Sequence, residues 1–544
     1  MNATKTKKAI SKTRLLLAAM VAMALLLPAT AHGAAPGITG PTFNLTAQPA
    51  YISQPDGSMI YSWGYGCRVA PSGFAPAAIS GATCPTMQVP GPTLIVTEGQ
   101  TVTVNLANGL PTSAGNTSIL FPGFSLTSTT GGVAGVLTQE AAPGGTVTYS
   151  FVAGTPGTRA YYSGTQGDLQ VEMGLYGAII VLPAAVPATC STGLAASNLA
   201  AEAHWGEHDF RLSHAAYDHA KSCYDREYLF QFSEMDPDIH YQAQAQVAAR
   251  AGCVAGAAGC SLNVATEPYH PAYFLINGRS MPDDMDPNYA VEYPHQPYNG
   301  NPHMHPGEQV LLRVIGQGRW QHPFHEHGNH VRILGRDGNL ILSATDPTSL
   351  AGPLLFTTST TPGLAFDGIF YWTAKGLNWD AYGHNPASGD ASAKLSCTPD
   401  ANGYNTSATA AINYFEWCQD HNKPMELAPF GDVPGGGPTT LPDPNLFTNG
   451  PWYGGSPYLG PDATLRATGC SAGTNAGPLA VNCGATGSTP PSGTIANSPS
   501  GEAGFAFMWH SHNEREITTN NIFPGGMLMM MLVDSREFVI DESN

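Results

Sequence analysis

Alternating apolar and polar positions predict short β-strands along most of the chain. In the clearest block, residues 90–108, Val102, Val104 and Leu106 alternate with threonine and asparagine, and Glu98-Gly-Gln100 marks a turn. Short strands separated by turn signals predict an all-β fold built from β-sandwiches. The same pattern predicts further strands within residues 41–50, 143–151, 175–182, 225–232, 271–277, 307–315, 322–334, 361–371 and 504–533.

Interruptions of this pattern predict the domain organisation. Residues 32–185 form a first sandwich, an alanine-rich, helix-compatible stretch at 186–224 connects it to the next, and residues 225–544 form a second sandwich. Between about residues 376 and 500 the second sandwich carries a long insertion rich in Gly, Pro, Ser and Thr. Because regular strand sequence returns after residue 503, we interpret this stretch as a loop insertion within the second domain.

The first 31 residues have the features of a secretory signal peptide. Basic residues precede the apolar run at 15–27, and Ala29-Thr-Ala31 is a small-residue cleavage site, so we expect a secreted or periplasmic protein. Later segments lack the roughly 20 apolar residues of a membrane helix, which predicts no membrane insertion. Removing the signal takes away five basic residues and changes the formal charge from −18 to about −23. That acidity argues against nucleic acid as a partner.

Ten cysteines in an exported chain predict disulfide bonds. Their spacing suggests nearest-neighbour pairing, although spacing alone leaves other connectivities open. The pairs are Cys67–Cys84, Cys190–Cys223, Cys253–Cys260, Cys397–Cys418 and Cys470–Cys483.

Histidines are concentrated in two short motifs. The first is His322-Pro-Phe-His-Glu-His-Gly-Asn-His330, and the second is His510-Ser-His512. Alternate residues of a strand share a face, so each motif presents two imidazoles to one side, and pairing of the two strands would bring four imidazoles together. Neutral imidazole suits copper, zinc, iron or nickel, which predicts a metal site; hydrogen-bonded structural histidines are the alternative.

Several motifs together resemble multicopper oxidases. The chain is similar to that family in Pro90-Gly-Pro-Thr-Leu-Ile-Val-Thr-Glu-Gly, in Gly174-Leu-Tyr-Gly-Ala-Ile-Ile-Val, in Tyr273-Phe-Leu-Ile-Asn-Gly-Arg-Ser, in His322-Pro-Phe-His-Glu-His-Gly and in Trp509-His-Ser-His. They follow the family's order over most of the chain. The resemblance implies two cupredoxin-like Greek-key β-sandwich domains, as in two-domain laccases, with the long disulfide-pinned insertion in the second.

The resemblance also shows what the chain lacks. By position, His325, His327, His510 and His512 match ligands of the family's trinuclear copper cluster, and His322 matches a ligand of its mononuclear blue copper. The four first-domain cluster positions hold Leu120, Pro122, Tyr162 and Gly164. At the blue site the cysteine is replaced by Ser511 and a histidine by Glu516. A blue copper needs a thiolate, so a complete laccase is not expected.

Residues near these motifs have smaller predicted roles. Glu326 and Glu516 are candidate carboxylate ligands or partners of ligands, with solvated residues as the alternative. His330 is expected to support the site or the fold, and Met527 to pack in the core in the absence of a thiolate. The turn that follows His303-Met-His305 favours a surface position, with a secondary copper site as the alternative.

The sequence therefore predicts a degenerate copper site of His325, His327, His510 and His512, with His322 beside it. Copper is the first choice of metal, and zinc or manganese the alternatives. As an enzyme the protein would be a copper-dependent oxidoreductase that contacts oxygen or a small reductant; the other hypotheses are a non-catalytic metal-binding protein and a structural scaffold. The family's two-domain members imply a homotrimer, although the loss of the first-domain ligands removes the need for one.

Overall fold

The computed structural model describes residues 34–373, 375, 398–411, 414–415, 417, 455–458, 504–534, 536 and 539–542. The predicted signal peptide, most of the predicted insertion, and the cysteine pairs Cys397–Cys418 and Cys470–Cys483 lie outside the described residues.

The first part of the chain folds into two five-stranded sheets. Their strand orders are β11-β12-β5-β1-β4 and β3-β2-β6-β10-β7, and β8 and β9 form a separate hairpin. The strands are β1 Gly37–Thr39, β2 Thr42–Ser53, β3 Met59–Cys67, β4 Phe74–Ala75, β5 Leu94–Thr97, β6 Thr101–Asn108, β7 Leu126–Gly131, β8 Val133–Ala134, β9 Gln139–Glu140, β10 Thr146–Val152, β11 Gly157–Tyr162 and β12 Tyr176–Leu182.

The rest of the described chain forms two larger sheets. One has seven strands in the order β14-β13-β16-β22-β18-β19, with β20 beside β18; the other has six in the order β15-β25-β24-β17-β21, with β23 beside β24. The strands are β13 Arg226–Met235, β14 Tyr273–Ile276, β15 His303–Met304, β16 Gln309–Gly316, β17 His322–Glu326, β18 Val331–Arg336, β19 Asn339–Leu340, β20 Leu354–Leu355, β21 Thr357–Thr360, β22 Ala365–Tyr371, β23 Gly455–Tyr458, β24 Gly504–Ser511 and β25 Leu528–Asp534.

Each pair of sheets encloses an apolar core. In β6, Val102, Val104 and Leu106 are fully buried while the residues between them are partly exposed, which confirms the predicted alternation. These valines and the leucine pack with residues of both five-stranded sheets. A second core, which includes Phe324 and Trp509, lies between the seven- and six-stranded sheets. The architecture is mainly β, with several sheets.

The described chain is mainly β, and it also contains helices, which the sequence indicated only at residues 186–224. They are α1 Gly167–Gln170, α2 Gly193–Trp205 and α3 Pro237–Ala249, and short 3-10 turns occur at Thr112–Ala114, Ala188–Ser191 and Asp283–Met285. The helix α2 lies in the predicted linker and ends before Gly206, whose positive φ of 89° suits glycine. The helix α3 begins after Asp236, whose side chain accepts a hydrogen bond from the Asp238 amide. Among the described helices, none has the length and apolar character required to span a bilayer.

Three of the predicted disulfides are present. Cys67–Cys84 closes a loop beside β3, Cys190–Cys223 links the start of the predicted linker to its end, and Cys253–Cys260 closes the turn after α3. Cross-links of this kind are consistent with an extracytoplasmic protein.

A buried carboxylate joins the two pairs of sheets. Asp367 on β22 accepts hydrogen bonds from the Thr158 amide (3.1 Å), the Thr158 hydroxyl (2.5 Å) and the Tyr217 hydroxyl (2.6 Å), and it lies 3.5 Å from the Arg313 guanidinium. Asp367 is 1% exposed. A buried carboxylate is stable only with such partners, so this contact fixes β11 against β22.

Replacing Asp367 tests this contact. We expect Asp367→Asn to lower the free energy of unfolding by roughly 2–4 kcal/mol, because Arg313 loses one of its two acidic neighbours and the hydroxyl donors lose a charged acceptor. Chemical denaturation measures the change. The exposed Asp218→Asn serves as the control and should leave the denaturation midpoint unchanged; equal midpoints for both variants would contradict the assigned role.

Candidate metal centre

The pairing of β17 with β24 brings the two histidine motifs together. These strands are antiparallel, and His325 lies opposite His510 in the register. The four rings gather around His325, whose centroid lies 4.8 Å from those of His327 and His512 and 5.5 Å from that of His510. The centroids of His327 and His510 are 5.2 Å apart, and those of His510 and His512 are 5.6 Å apart. The side chains predicted to converge therefore lie together.

Hydrogen bonds orient two of these rings. The Nδ1 of His510 donates to the carbonyl oxygen of Ser511 at 2.7 Å, which leaves the lone pair of a neutral ring on Nε2. The Nδ1 of His325 is hydrogen-bonded to the Thr357 hydroxyl at 2.5 Å. Partners of this kind fix the ring orientation of metal-binding histidines, and in His510 the bond to the carbonyl selects Nε2 as the ligating atom.

Four imidazoles are suitable ligands for a metal ion, but their side chains are not positioned to bind one in this structure. The Nε2 atoms of His327 and His510 are 3.2 Å apart, close to the ~3.3 Å that separates two nitrogens bound at about 2.0–2.1 Å to one tetrahedral ion. As the side chains stand, however, no group of three or more His, Cys, Asp or Glu residues in the described part of the chain is arranged to hold a metal. Binding would require the rings to turn and the contact between His327 and His510 to break.

Electrostatics keep the central ring in the form that binds metals. Burial, followed by the neighbouring His327, His510 and His512, lowers the pKa of His325 to about 3. Burial also lowers the pKa of His510. Neutral imidazole has the lone pair that a metal requires, so both rings are ready to ligate at neutral pH.

The four-histidine group opens toward solvent on one side. His325 is buried, His327 and His510 are half-buried, and His512 is exposed. Phe356, which is 40% exposed, packs edge-on against His325 and His330, with centroids 5.6 Å and 4.9 Å away. His330 therefore supports an aromatic side chain beside the group, in line with the supporting role expected from the sequence.

His322 is separated from the four rings and is held by two carboxylates. Its Nδ1 donates to Glu516 at 2.8 Å and its Nε2 donates to Glu234 at 2.9 Å, so both nitrogens are engaged. Burial opposes a charge here, but the two hydrogen bonds outweigh it and raise the pKa of His322 to about 9. The Ser511 hydroxyl also donates to Glu516. A buried imidazolium with two carboxylates thus occupies the position where the resemblance placed a blue copper ligand.

Both candidate carboxylates are buried, which corrects the alternative of solvated residues. Glu326 is fully buried behind His325 and His327, accepts a hydrogen bond from Thr358 at 3.0 Å, and has a pKa raised well above its usual range by burial. Its side chain faces away from the four rings because strand residues alternate in direction. Glu516 binds His322, as described above. Neither the buried side of β17 nor the partner Glu234 was predicted, although Glu234 is one of three charged residues in the fully buried strand β13.

The surface position expected for His303 and His305 was wrong. Both are 1% exposed. His303 contacts Asp534 at 2.6 Å, and His305 contacts Glu207 at 2.6 Å. Since β15 pairs with β25, the Pro-Gly turn that follows it lies against other chain segments instead of facing solvent. Met527 is fully buried in the second core, as expected.

The four aligned positions of the first sandwich do not supply a second set of ligands. Leu120 and Tyr162 lie side by side and exchange backbone hydrogen bonds of 2.7 and 3.3 Å. Tyr162 packs against the apolar clusters between the two pairs of sheets. A side chain at Gly164 would collide with Leu120. Leu120, Tyr162 and Gly164 are thus used for packing and backbone pairing.

A match to a known protein family supports the resemblance. Residues 82–185 match a family described as multicopper oxidase. Among solved structures, the chain resembles the multicopper oxidase mgLAC (TM-score 0.41, 15% identity, 90% of this chain and 86% of that chain). It also resembles a blue copper oxidase from Nitrosomonas europaea (TM-score 0.41, 15% identity, 90% of this chain and 85% of that chain). A copper nitrite reductase from the same organism is similar over a shorter stretch (TM-score 0.35, 19% identity, 61% of this chain and 84% of that chain). No curated protein matches the chain significantly.

The sequence motifs and the family match agree on the class of protein. The chain contains a multicopper oxidase domain at residues 82–185. The matched residues lie in the first sandwich, and the four-histidine group lies in the second.

The charge on His322 predicts a pH dependence of stability. The pKa of His322 is raised in the folded protein. Its contribution to the free energy of unfolding is therefore fully present below about pH 6.5 and is lost as the pH rises through about 9. The loss should be on the order of 3 kcal/mol. Burial raises the pKa values of Glu172 and Glu542 to about 8, so these residues also lower the stability as the pH rises. They do so equally in any variant that retains them.

The variant Glu516→Gln isolates the His322 contribution. It removes one of the two carboxylates, so the folded-state pKa of His322 should fall and the loss of stability between pH 6.5 and 9.5 should shrink by at least about 1 kcal/mol. Denaturant unfolding at both pH values measures this difference. An equal loss in the parent and the variant would contradict a charged His322.

Proposed function

We propose that the protein is an exported, multicopper oxidase-like copper-binding protein with a non-blue copper site. Its ligands are His325, His327, His510 and His512. The observation that carries this proposal is the convergence of four imidazoles, with neighbouring centroids 4.8–5.6 Å apart, on two paired strands. The copper site is proposed from these residues, since the family match covers residues 82–185 and none of the four.

Copper suits this donor set better than the alternatives. An all-imidazole site favours copper over zinc at equal availability, while manganese prefers oxygen ligands. Glu326 points away from the rings, so a carboxylate that would favour manganese is not contributed from β17. Zinc remains the second choice, because four imidazoles can also satisfy its tetrahedral preference.

The arrangement supports redox chemistry at an open site. When bound, copper would supply one-electron redox chemistry and a coordination position for a small ligand. The chain contributes the orientation of the rings through Thr357 and the Ser511 carbonyl, and it leaves the His512 side open for oxygen or a small reductant. Since Ser511 replaces a thiolate, the site has no blue chromophore and lacks the usual route for electron entry.

The loss of a thiolate and of the first-sandwich ligands favours a second candidate function. Leu120 and Tyr162 are committed to packing, so the group of four can bind copper without supporting oxygen reduction at a cluster. In that case the protein is an extracytoplasmic metal-holding or structural protein. The homotrimer implied by the resemblance stays a prediction, and light scattering of the purified protein tests it.

Copper binding can be tested on the exported, full-length mature protein. After treatment with a chelator, we expect it to bind about one Cu(II) with a nitrogen-rich EPR spectrum and no intense blue absorption. The double variant His327→Asn/His510→Asn should weaken binding by at least about 100-fold, because half of the ligands are lost. The partly exposed His219→Asn, remote in sequence from the group, is the matched control and should bind like the parent.

Oxygen consumption then separates the two candidates. Uptake with a phenol or Mn(II), abolished in the double variant, supports an oxidoreductase. Stoichiometric copper without uptake supports a metal-holding protein. A chelated protein that does not take up copper, or a double variant that binds as well as the parent, would overturn the proposed copper site.

A further inference from the structure

One carboxylate bridges the two strands that carry the histidines. Glu516 accepts from the Nδ1 of His322, the first residue of β17, at 2.8 Å. It also accepts from the hydroxyl of Ser511, the last residue of β24, and from the side-chain amide of Asn513 at 2.8 Å. Ser511 lies between His510 and His512. The carboxylate therefore connects the start of one histidine strand to the end of the other.

The opposite side of His322 is held from the facing sheet. Glu234 on β13 accepts from the Nε2 of His322 at 2.9 Å. Its other oxygen accepts from the backbone amides of Arg319 at 2.6 Å and Trp320 at 2.8 Å, and from the Tyr269 hydroxyl at 3.2 Å. His322, Glu234 and Glu516 are at most 3% exposed. Each carboxylate thus has fixed partners, and water is largely excluded from the three groups.

Backbone pairing alone fixes only part of the site. The register between β17 and β24 covers three residue pairs, from Glu326–Trp509 to Phe324–Ser511. Beyond it, the amide of His512 donates to the carbonyl of Pro323 at 2.8 Å. His512 is exposed and follows the end of its strand, so its position depends on how the Ser511–Asn513 turn is held. Glu516 binds both ends of that segment, through the Ser511 hydroxyl and the Asn513 side-chain amide.

We propose that the triad Glu234–His322–Glu516 is a positioning device that sets the spacing of the two histidine pairs for metal binding. The inference rests on the proposed copper site. In this view the triad contacts no metal; Glu516 acts through Ser511 and Asn513 on His510 and His512, and Glu234 anchors His322 to the other sheet. Hydrogen-bonded partners of ligands commonly change metal affinity about 10- to 100-fold when removed. A merely structural ion group would change stability alone.

Copper binding by triad variants tests this proposal. Glu516→Ala should weaken Cu(II) binding by about 10- to 100-fold and alter the EPR hyperfine splitting, because His512 and His510 lose their fixed spacing. Ser511→Ala removes the hydroxyl that donates to Glu516 and accepts from the Asn513 amide, and it should cause a smaller change of the same kind. Glu516→Gln keeps an acceptor for Ser511 and should recover part of the affinity. If Glu516→Ala does not fold, Ser511→Ala and Glu516→Gln can still be used to test the proposal.

Asp534→Asn provides a matched control. Asp534 is a fully buried carboxylate that contacts an imidazole, that of His303, and it lies at the end of β25, where that strand pairs with β15. The Asp534→Asn variant should have a lower thermal midpoint than the parent, with the same copper affinity and EPR spectrum. If the Glu516 and Ser511 variants behave like Asp534→Asn, the positioning role is overturned while the copper site stands. If the parent protein binds no copper, the proposed copper site and the positioning role are both overturned.

Discussion

The pairing of β17 with β24 is the constraint on which the candidate site depends. It places His325 opposite His510, and the two-residue repeat of each strand then adds His327 and His512 on the same side. The reverse side of these strands is packed in the second core through Phe324 and Trp509. A slip of one residue would exchange the imidazoles with these core side chains, so burial of the aromatic residues fixes the register of the metal ligands.

Buried polar side chains in the interior of the second sandwich form a hydrogen-bonded group around His322. At the mononuclear position, Ser511 and Glu516 stand where the resemblance expects a thiolate and an imidazole. A buried glutamate requires a compensating charge, and the protonated His322 supplies it at 2.8 Å. Glu234 adds a second carboxylate from the facing sheet. The protonated His322 thus offsets one of the two carboxylate charges, and the other carboxylate oxygens accept hydrogen bonds from Asn513 and from the backbone amides of Arg319 and Trp320.

Much of this could be predicted from the sequence, for physical reasons that also explain the failures. The buried face of β6 and the convergence of the histidines follow from the two-residue strand repeat, which is local. The helix α3 was missed because its signal is a cap, Asp236 before Pro237, and not an apolar stripe. The burial of His303 and His305 depends on the pairing of β15 with β25, which are more than 200 residues apart, and no local pattern reports such a contact. Glu234 likewise acquires its role through a partner on another sheet.

Two histidines three residues apart differ in charge at neutral pH: His322 is protonated and His325 is neutral. His322 lies between carboxylates, which raise its pKa to about 9, whereas His325 lies among other imidazoles and beside a hydroxyl, where burial and those neighbours lower its pKa to about 3. Protonated imidazole cannot bind a metal, and neutral imidazole can. The local surroundings therefore divide the motif His322–His330 by function. Its first histidine is an internal cation that supports the fold, and the neutral His325 lies with His327 beside the pair on β24.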